Sequence, residues 1–317
     1  MIHLFIFVSL GLIILIVSGD FLVNGAVGVS RRLGIPKLIV GLTVIAFGTS
    51  APELVISVRA VLEGVSGLAI GNVVGSNIAN ILLVLGLPAA IMGLPMMKEE
   101  SRKPYLIMLS SNIVFITICF FWQLNRVSGI ILILILLAVI LDNVFNSTKS
   151  FSNENFSENT GEDDYKNRLS KYVFLVILGI IGLPIGANIF VDNAILIADQ
   201  LGVSEAVIGL TLVAIGTSLP ELSTMIMAII RRENEMALGN VIGSNLFNLL
   251  AIMGIASIFG TITIPPEFFK FDIWFMLFTS LLLIPLVFKS LSLNRIWGFL
   301  FILIYMAYIV LVINRGT

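Results

Sequence analysis

The chain has 317 residues, of which 58% are hydrophobic and 12% charged, and its mean hydropathy is +1.09. Soluble domains carry about 25% charged residues, so this composition cannot coat a water-facing surface and points to an integral membrane protein. A net charge of −1 excludes nucleic-acid binding through a basic surface. The single Cys119 excludes intrachain disulfides and cysteine metal clusters, and the single His3 excludes histidine metal sites and Ser/His/Asp triads.

A membrane helix needs about 20 mostly apolar residues. Stretches of that kind run over 2–29, 36–62, 68–93, 104–122, 127–145, 170–199, 204–230, 236–259, 271–289 and 295–313. They predict an all-α integral membrane protein of ten transmembrane helices, divided into a first unit over 1–145 and a second over 170–317. The first stretch has no basic residues ahead of it and runs too far for a cleaved signal peptide, so it reads as the first membrane helix. Between the units, 146–169 is polar and acidic, with Glu154, Glu158, Glu162, Asp163 and Asp164. It lacks the D-x-D-x-D-G pattern of a calcium loop, and its composition is that of a flexible linker.

Alternating the ten spans places fourteen basic residues, among them Arg31, Arg32, Lys37, Arg102, Arg231 and Arg232, on the face that follows the odd-numbered helices. Four, Arg59, Arg126, Lys270 and Arg315, fall on the other face. Basic residues favour the cytoplasmic side. The expectation is therefore a multi-pass protein of the cell membrane with both termini outside and the linker inside, its Asn146 and Asn155 sequons unglycosylated.

The chain repeats itself at an offset of 168. Residues 41–60, GLTVIAFGTSAPELVISVRA, match 209–228, GLTLVAIGTSLPELSTMIMA, at eleven of twenty positions, and 69–82, AIGNVVGSNIANIL, match 237–250, ALGNVIGSNLFNLL. Each unit holds five predicted helices. An odd number starts the second copy on the opposite side of the membrane, so the repeats are inverted, as in secondary transporters, with the site expected at the repeat interface.

Glu53 and Glu221 lie at equivalent places deep inside apolar spans. A charged residue at the bilayer centre costs about 2.5–3.5 kcal/mol on insertion scales and marks function. The matching core segments supply no Lys, Arg or His beside the glutamates, Arg59 lying six residues on near the end of its span, so the two acids call for a bound cation or protons. Pro52 and Pro220 precede them and break the helix ladder, and Gly48 and Gly216 loosen it further. Thr49, Ser50, Thr217 and Ser218 sit three or four residues before the glutamates, on the same helix face. The companion motif G-N-V-[VI]-G-S-N-x-x-N adds the pairs Ser76 with Asn80 and Ser244 with Asn248. Hard oxygen ligands of this kind suit calcium or sodium rather than softer metals. The bland reading of a lone G-S-N is helix packing, and Asn72, Asn77, Asn240 and Asn245 are open between supporting the ligands and bonding helices together. Asp20 aligns with Asn188 and Asp192 with Asn24; both acids read as interfacial caps or gate contacts, with ion ligation the alternative. Cys119 reads as inert.

At these motifs the chain resembles the calcium/cation antiporter superfamily, in its prokaryotic sodium/calcium exchanger branch. The resemblance covers both repeats and implies a five-plus-five inverted fold with a central site built by helices 2, 3, 7 and 8. It implies that helices 1 and 6 slide across that core to alternate access. The implied cation ligands are Ala46, Thr49, Ser50, Glu53, Ser76 and Asn80 from the first repeat, and Ala214, Thr217, Ser218, Glu221, Ser244 and Asn248 from the second. Asn248 departs from relatives with Asp there, which in potassium-dependent members is tied to K⁺; its replacement implies exchange without K⁺. The expected activity is antiport of Ca²⁺ for Na⁺ with no cofactor and no obligate protein partner, only the two ions and the lipid bilayer. A Ca²⁺/H⁺ exchanger on the same fold is the alternative reading. An intramembrane enzyme using two carboxylates is disfavoured, since acid and base roles need distinct environments and these acids are equivalent by symmetry. A cation channel would not depend on a counter-ion.

Overall fold

The computed structural model describes residues 2–96, 99–151, 162–201, 214–289 and 291–316. Its longer helices, in chain order, are α1 (Ile2–Leu33), α2 (Lys37–Thr49 and Ala51–Leu62), α3 (Ser66–Met92), α4 (Glu99–Phe121) and α5 (Arg126–Phe151). The second unit contributes α6 (Glu162–Gln200), α7 (Ala214–Thr217 and Leu219–Ile230), α8 (Asn234–Phe259), α9 (Asp272–Phe288) and α10 (Arg295–Gly316). Among the described residues seven helices are long and apolar enough to cross a membrane, or eight counting the bent α2 as one span, while Leu219–Ile230 and α9 are shorter apolar helices.

Several helices outrun their apolar stretches. α1 continues to Leu33, carrying Arg31 and Arg32 in its last turn, where cations complement the helix dipole, and Gly34 at φ +64° follows it. α5 reaches Phe151 and α6 starts at Glu162, so helix extends into the expected linker from both ends. Hydropathy marks where lipid ends, not where helical hydrogen bonding ends; the remaining 152–161 lie outside the described residues.

Burial separates centre from periphery. Of the apolar stretch of α8, 89% is buried, and of α3 72%, against 28% for each of α1, α5, α6 and α10. Large apolar side chains such as Phe5, Leu134, Phe174 and Leu303 face outward, as a lipid-contacting surface requires. Cys119 is buried.

α1 and α6 pack antiparallel along a glycine stripe. A Cβ on Gly11 would meet the backbone nitrogen of Phe190 at 2.6 Å, and one on Gly179 would meet the Leu22 Cβ at 2.6 Å. Positions 11 and 179, and 22 and 190, are each 168 apart, so the two contacts exchange roles between the units. The connections also sort by side. The segment after α3, Leu94–Met96, pairs antiparallel with Ser292–Leu293 after α9. Leu124 after α4 bridges to Ile262 after α8, and Lys37 after α1 meets Glu233 after α7.

Candidate functional site

Both glutamate helices break just before the acid. Ser50 (φ −84°, ψ 4°) separates the halves of α2, which are bent by 47°, and Ser218 (φ −89°, ψ 1°) separates those of α7. Pro52 and Pro220 occupy the first turn of each following helix, where a missing N–H costs nothing. Glu53 and Glu221 therefore sit in the first turn of their helices, where the positive end of the helix dipole favours an anion. Each is 1% exposed, and neither forms an ion pair among the described residues. The two carboxyls are close enough to interact electrostatically.

The hydroxyls cross between the repeats. Ser50 Oγ lies 3.5 Å from Glu221 Oε1, and Thr49 also faces that carboxyl. Thr49 Oγ1 is 3.3 Å from the Ala46 carbonyl, 3.3 Å from Ser244 Oγ and 3.4 Å from Asn240 Oδ1. One small volume thus gathers Ala46, Thr49 and Ser50 with Glu221 and Ser244. On α3 and α8, Asn80 Nδ2 donates to Asn245 Oδ1 at 3.1 Å, and Asn248 Nδ2 donates to Asn77 Oδ1 at 3.0 Å. Ser76 and Ser218 are buried, at 4% and 1% exposure. Thr217 is half-buried and closes the short first segment of α7, which opens on Ala214. The second copy's 209–213 lie outside the described residues.

Buried polar atoms almost always find partners, so the exceptions are informative. Among the described residues seven buried side-chain atoms have none: Glu53 Oε2, Glu221 Oε2, Asn80 Oδ1, Asn248 Oδ1, Ser218 Oγ, Arg102 Nε and Asn112 Oδ1. Five of the seven are oxygens of the residues singled out in the two repeats, and four of those form the equivalent pairs 53/221 and 80/248. Two carboxylates and neutral oxygens, with lone pairs unspent, form a donor set that fits a hard cation.

The sequence did not show what lies around these atoms. Asn72 Nδ2 bonds the Glu53 carbonyl at 3.1 Å and Ser57 Oγ at 2.9 Å, while Asn240 Nδ2 bonds Thr224 Oγ1 at 3.0 Å. The four asparagines left open between support and packing thus bond the site's neighbours, and the recurrence of all four at the 168 offset was the available signal. Single π-helical turns run over Asn80–Val84 in α3 and Phe247–Ile252 in α8, both at the amide ligand candidates. Asp20 lies away from this cluster: Arg231 Nε and Nη2 each approach its Oδ1 at 2.6 Å. Beside it Glu233 takes Lys37 at 2.6 Å and Arg31 at 4.0 Å. Asp192 is exposed.

A helical bundle with paired buried carboxylates and a polar, oxygen-lined centre has the make-up of a membrane cation carrier. The family model for the sodium/calcium exchanger protein matches residues 3–144 and 171–314, and the chain belongs to that family, within the calcium/cation antiporter superfamily. It is similar to the sodium/calcium exchanger MaX1 of Methanosarcina acetivorans, with 30% identity over 340 residues, covering 96% of this chain and 97% of that one. It is 34% identical to the inner membrane protein YrbG of Escherichia coli over 275 residues, 86% of this chain and 85% of that one. A solved structure of the sodium-calcium exchanger NCX_Mj, soaked with Na⁺ and Sr²⁺, superposes with a TM-score of 0.82 at 33% identity, covering 98% of this chain and 99% of that one. The chain is accordingly a multi-pass membrane cation antiporter and not an enzyme.

Proposed function

We propose that the protein exchanges Ca²⁺ for Na⁺ at the site between the two repeats. The observation that carries this reading is the set of five buried oxygens without partners, on Glu53, Glu221, Asn80, Asn248 and Ser218. The other ligands in the proposal are Ala46, Thr49, Ser50, Ser76, Ala214, Thr217 and Ser244. Glu53 and Glu221 supply a formal charge of −2, which one Ca²⁺ neutralises and which Na⁺ ions neutralise in its place. An empty site would carry unbalanced charge through a low-dielectric barrier, at a cost that falls once the site is loaded. Movement only when loaded is obligatory exchange, and an inward Na⁺ gradient then extrudes Ca²⁺.

In this reading ten helices form two inverted units, and α1 with α6 slides across the core of α2, α3, α7 and α8. The antiparallel glycine stripe between α1 and α6 supports movement of the two as one body. The charge distribution supports a cytoplasmic linker and external termini. The structure is asymmetric about the site: α1 lies along the second half of α7, with a Cβ on Gly19 meeting Ser223 Oγ at 2.6 Å and Ser223 Oγ donating to the Leu15 carbonyl at 2.6 Å. In this reading that packing closes the side on which the linker lies.

The test is uptake of radiolabelled calcium by proteoliposomes carrying imposed Na⁺ or H⁺ gradients, with and without K⁺. The expected result is uptake driven by outward-directed Na⁺ and unchanged by K⁺. Uptake driven by a proton gradient alone would make the protein a Ca²⁺/H⁺ exchanger, and a K⁺ requirement would overturn the role given to Asn248.

A further inference from the structure

An asparagine side chain ends in an acceptor oxygen and a donor NH₂ of nearly equal shape. A cation site that uses Asn80 and Asn248 needs the oxygen turned inward, because an amide turned the other way presents positive hydrogens to the ion. Something must fix which end faces in.

The hydrogen bonds behind the site supply it. Asn248 Nδ2 donates to Asn77 Oδ1 at 3.0 Å, and Asn80 Nδ2 donates to Asn245 Oδ1 at 3.1 Å. The middle amides are fixed in turn. Asn77 Nδ2 faces Met276 Sδ at 3.7 Å and the Asn245 carbonyl at 3.5 Å, and Asn245 Nδ2 faces Met108 Sδ at 3.7 Å. A thioether sulfur and a carbonyl oxygen accept hydrogen bonds and never donate. Turning Asn77 over would set its oxygen against two acceptors and its NH₂ against the NH₂ of Asn248. Polarity is thus dictated from the methionine end and passed outward, leaving Asn80 Oδ1 and Asn248 Oδ1 as the ends without partners. All six residues are buried, none more than 1% exposed. They fall into the pairs 77/245, 80/248 and 108/276, each 168 apart, and each relay alternates between the repeats.

We propose that Asn77 and Asn245, anchored on Met276 and Met108, are positioning residues that set the amide polarity of Asn248 and Asn80, so that both turn oxygen toward the transported cation. The proposal rests on the cation site described above. It differs from ordinary interhelical bonding in one consequence. A carboxylate has oxygen at both ends and needs no such relay, so an acid at position 248 makes Asn77 dispensable for ligation, whereas the native amide does not.

The experiment is calorimetric titration of Ca²⁺ into the purified full-length protein and its variants. Asn77→Leu is expected to weaken Ca²⁺ binding about tenfold or more, the scale of a hydrogen-bond-strength interaction with a charge reversed in sign. Asn77→Leu combined with Asn248→Asp is expected to bind within about threefold of Asn248→Asp alone. Native-like binding by Asn77→Leu would overturn the proposal, as would a combined variant still as far below Asn248→Asp as Asn77→Leu is below the native protein, since that loss would be one of packing. If Asn77→Leu does not fold, Asn245→Leu with Asn80→Asp poses the same question in the other relay. Native-like Ca²⁺ binding by Glu53→Gln would instead overturn the underlying site, a result separable from any outcome at Asn77.

Discussion

Asp20→Asn places in α1 the residue that its repeat equivalent, Asn188, already has. The native Asp20 accepts from two nitrogens of Arg231 at 2.6 Å, a short charge-assisted arrangement. The side chains are 30% and 35% exposed, so solvent screens the pair and its worth is discounted to about 1 kcal/mol. In the alternating-access mechanism proposed above, only the arrangement with α1 along the second half of α7 makes this contact. In the opposite arrangement the equivalent positions hold Asn188 and Glu63, which cannot form an ion pair. Losing the pair therefore removes about 1 kcal/mol from one state alone and shifts the ratio of the two states about fivefold. Apparent affinity scales with the fraction of protein open to the ligand. Ca²⁺ affinity measured from the linker face should accordingly tighten by up to about fivefold, while affinity from the opposite face changes little. Right-side-out and inside-out vesicles, assayed for the Ca²⁺ concentration giving half-maximal exchange, report the two faces separately. Arg231→Gln should give the same shift, and the double variant no more than either single one. Equal changes on both faces, or none, would refute the reasoning, because a state-specific contact cannot act symmetrically.

Other outcomes are expected from the same structure. Glu53→Gln and Glu221→Gln each keep the side-chain shape but halve the site charge, and Ca²⁺ exchange should fall to background in both folded variants; robust exchange by either excludes a two-carboxylate site. Gly64 follows α2 at φ +77°, and a Cβ placed on it would have nothing within 4 Å, so Gly64→Ala adds backbone strain without a clash. It should cost about 1 kcal/mol, read as a lower unfolding temperature in detergent with exchange unchanged. A cysteine introduced at Ser157, in a chain with Cys119 replaced, should react with impermeant maleimide only after cells are permeabilised; labelling of intact cells would reverse the orientation while leaving the exchange reading in place.

Much of the candidate site is legible in the sequence because unusual residues recur at one offset. Glu53 and Glu221 are conspicuous in apolar spans, and Pro52 and Pro220 announced the helix breaks that Ser50 and Ser218 make. What was not legible depends on contacts between distant segments. Repetition of Asn77 at Asn245 and of Met108 at Met276 says these positions are equivalent, but not that Asn77 reaches across to Met276. The partner of Asp20 lies 211 residues away at Arg231, and no periodicity points to it. The π turns at Asn80 and at Phe247 insert an extra residue per turn without altering the run of apolar residues, so hydropathy passes over them. The ends of α5 and α6 were missed for a related reason, since polar residues continue a helix once it has left lipid.

The two repeats agree where they meet and differ where they end. Residues 49, 50, 53, 76, 77 and 80 recur unchanged at 217, 218, 221, 244, 245 and 248. A site that accepts the same ion from either side, as proposed here, gains from near-identical halves, since neither direction of entry then meets a different set of ligands. The helix ends face another requirement. Asp20, Arg231 and Glu233 have Asn188, Glu63 and Val65 as equivalents, so the ion pairs Asp20–Arg231 and Lys37–Glu233 cannot be repeated at the equivalent positions. If both ends carried the same pairs, their contributions would cancel in the difference between the two states and leave it to the membrane gradients alone. Because these particular pairs join α1 and the start of α2 to the end of α7 and the equivalent positions cannot repeat them, they would add to that difference in the proposed mechanism without touching the ligands. In the proposed mechanism affinity at the centre and preference between the two faces are thereby set by separate residues, which is why Asp20→Asn is expected to move sidedness and Glu53→Gln to abolish exchange outright.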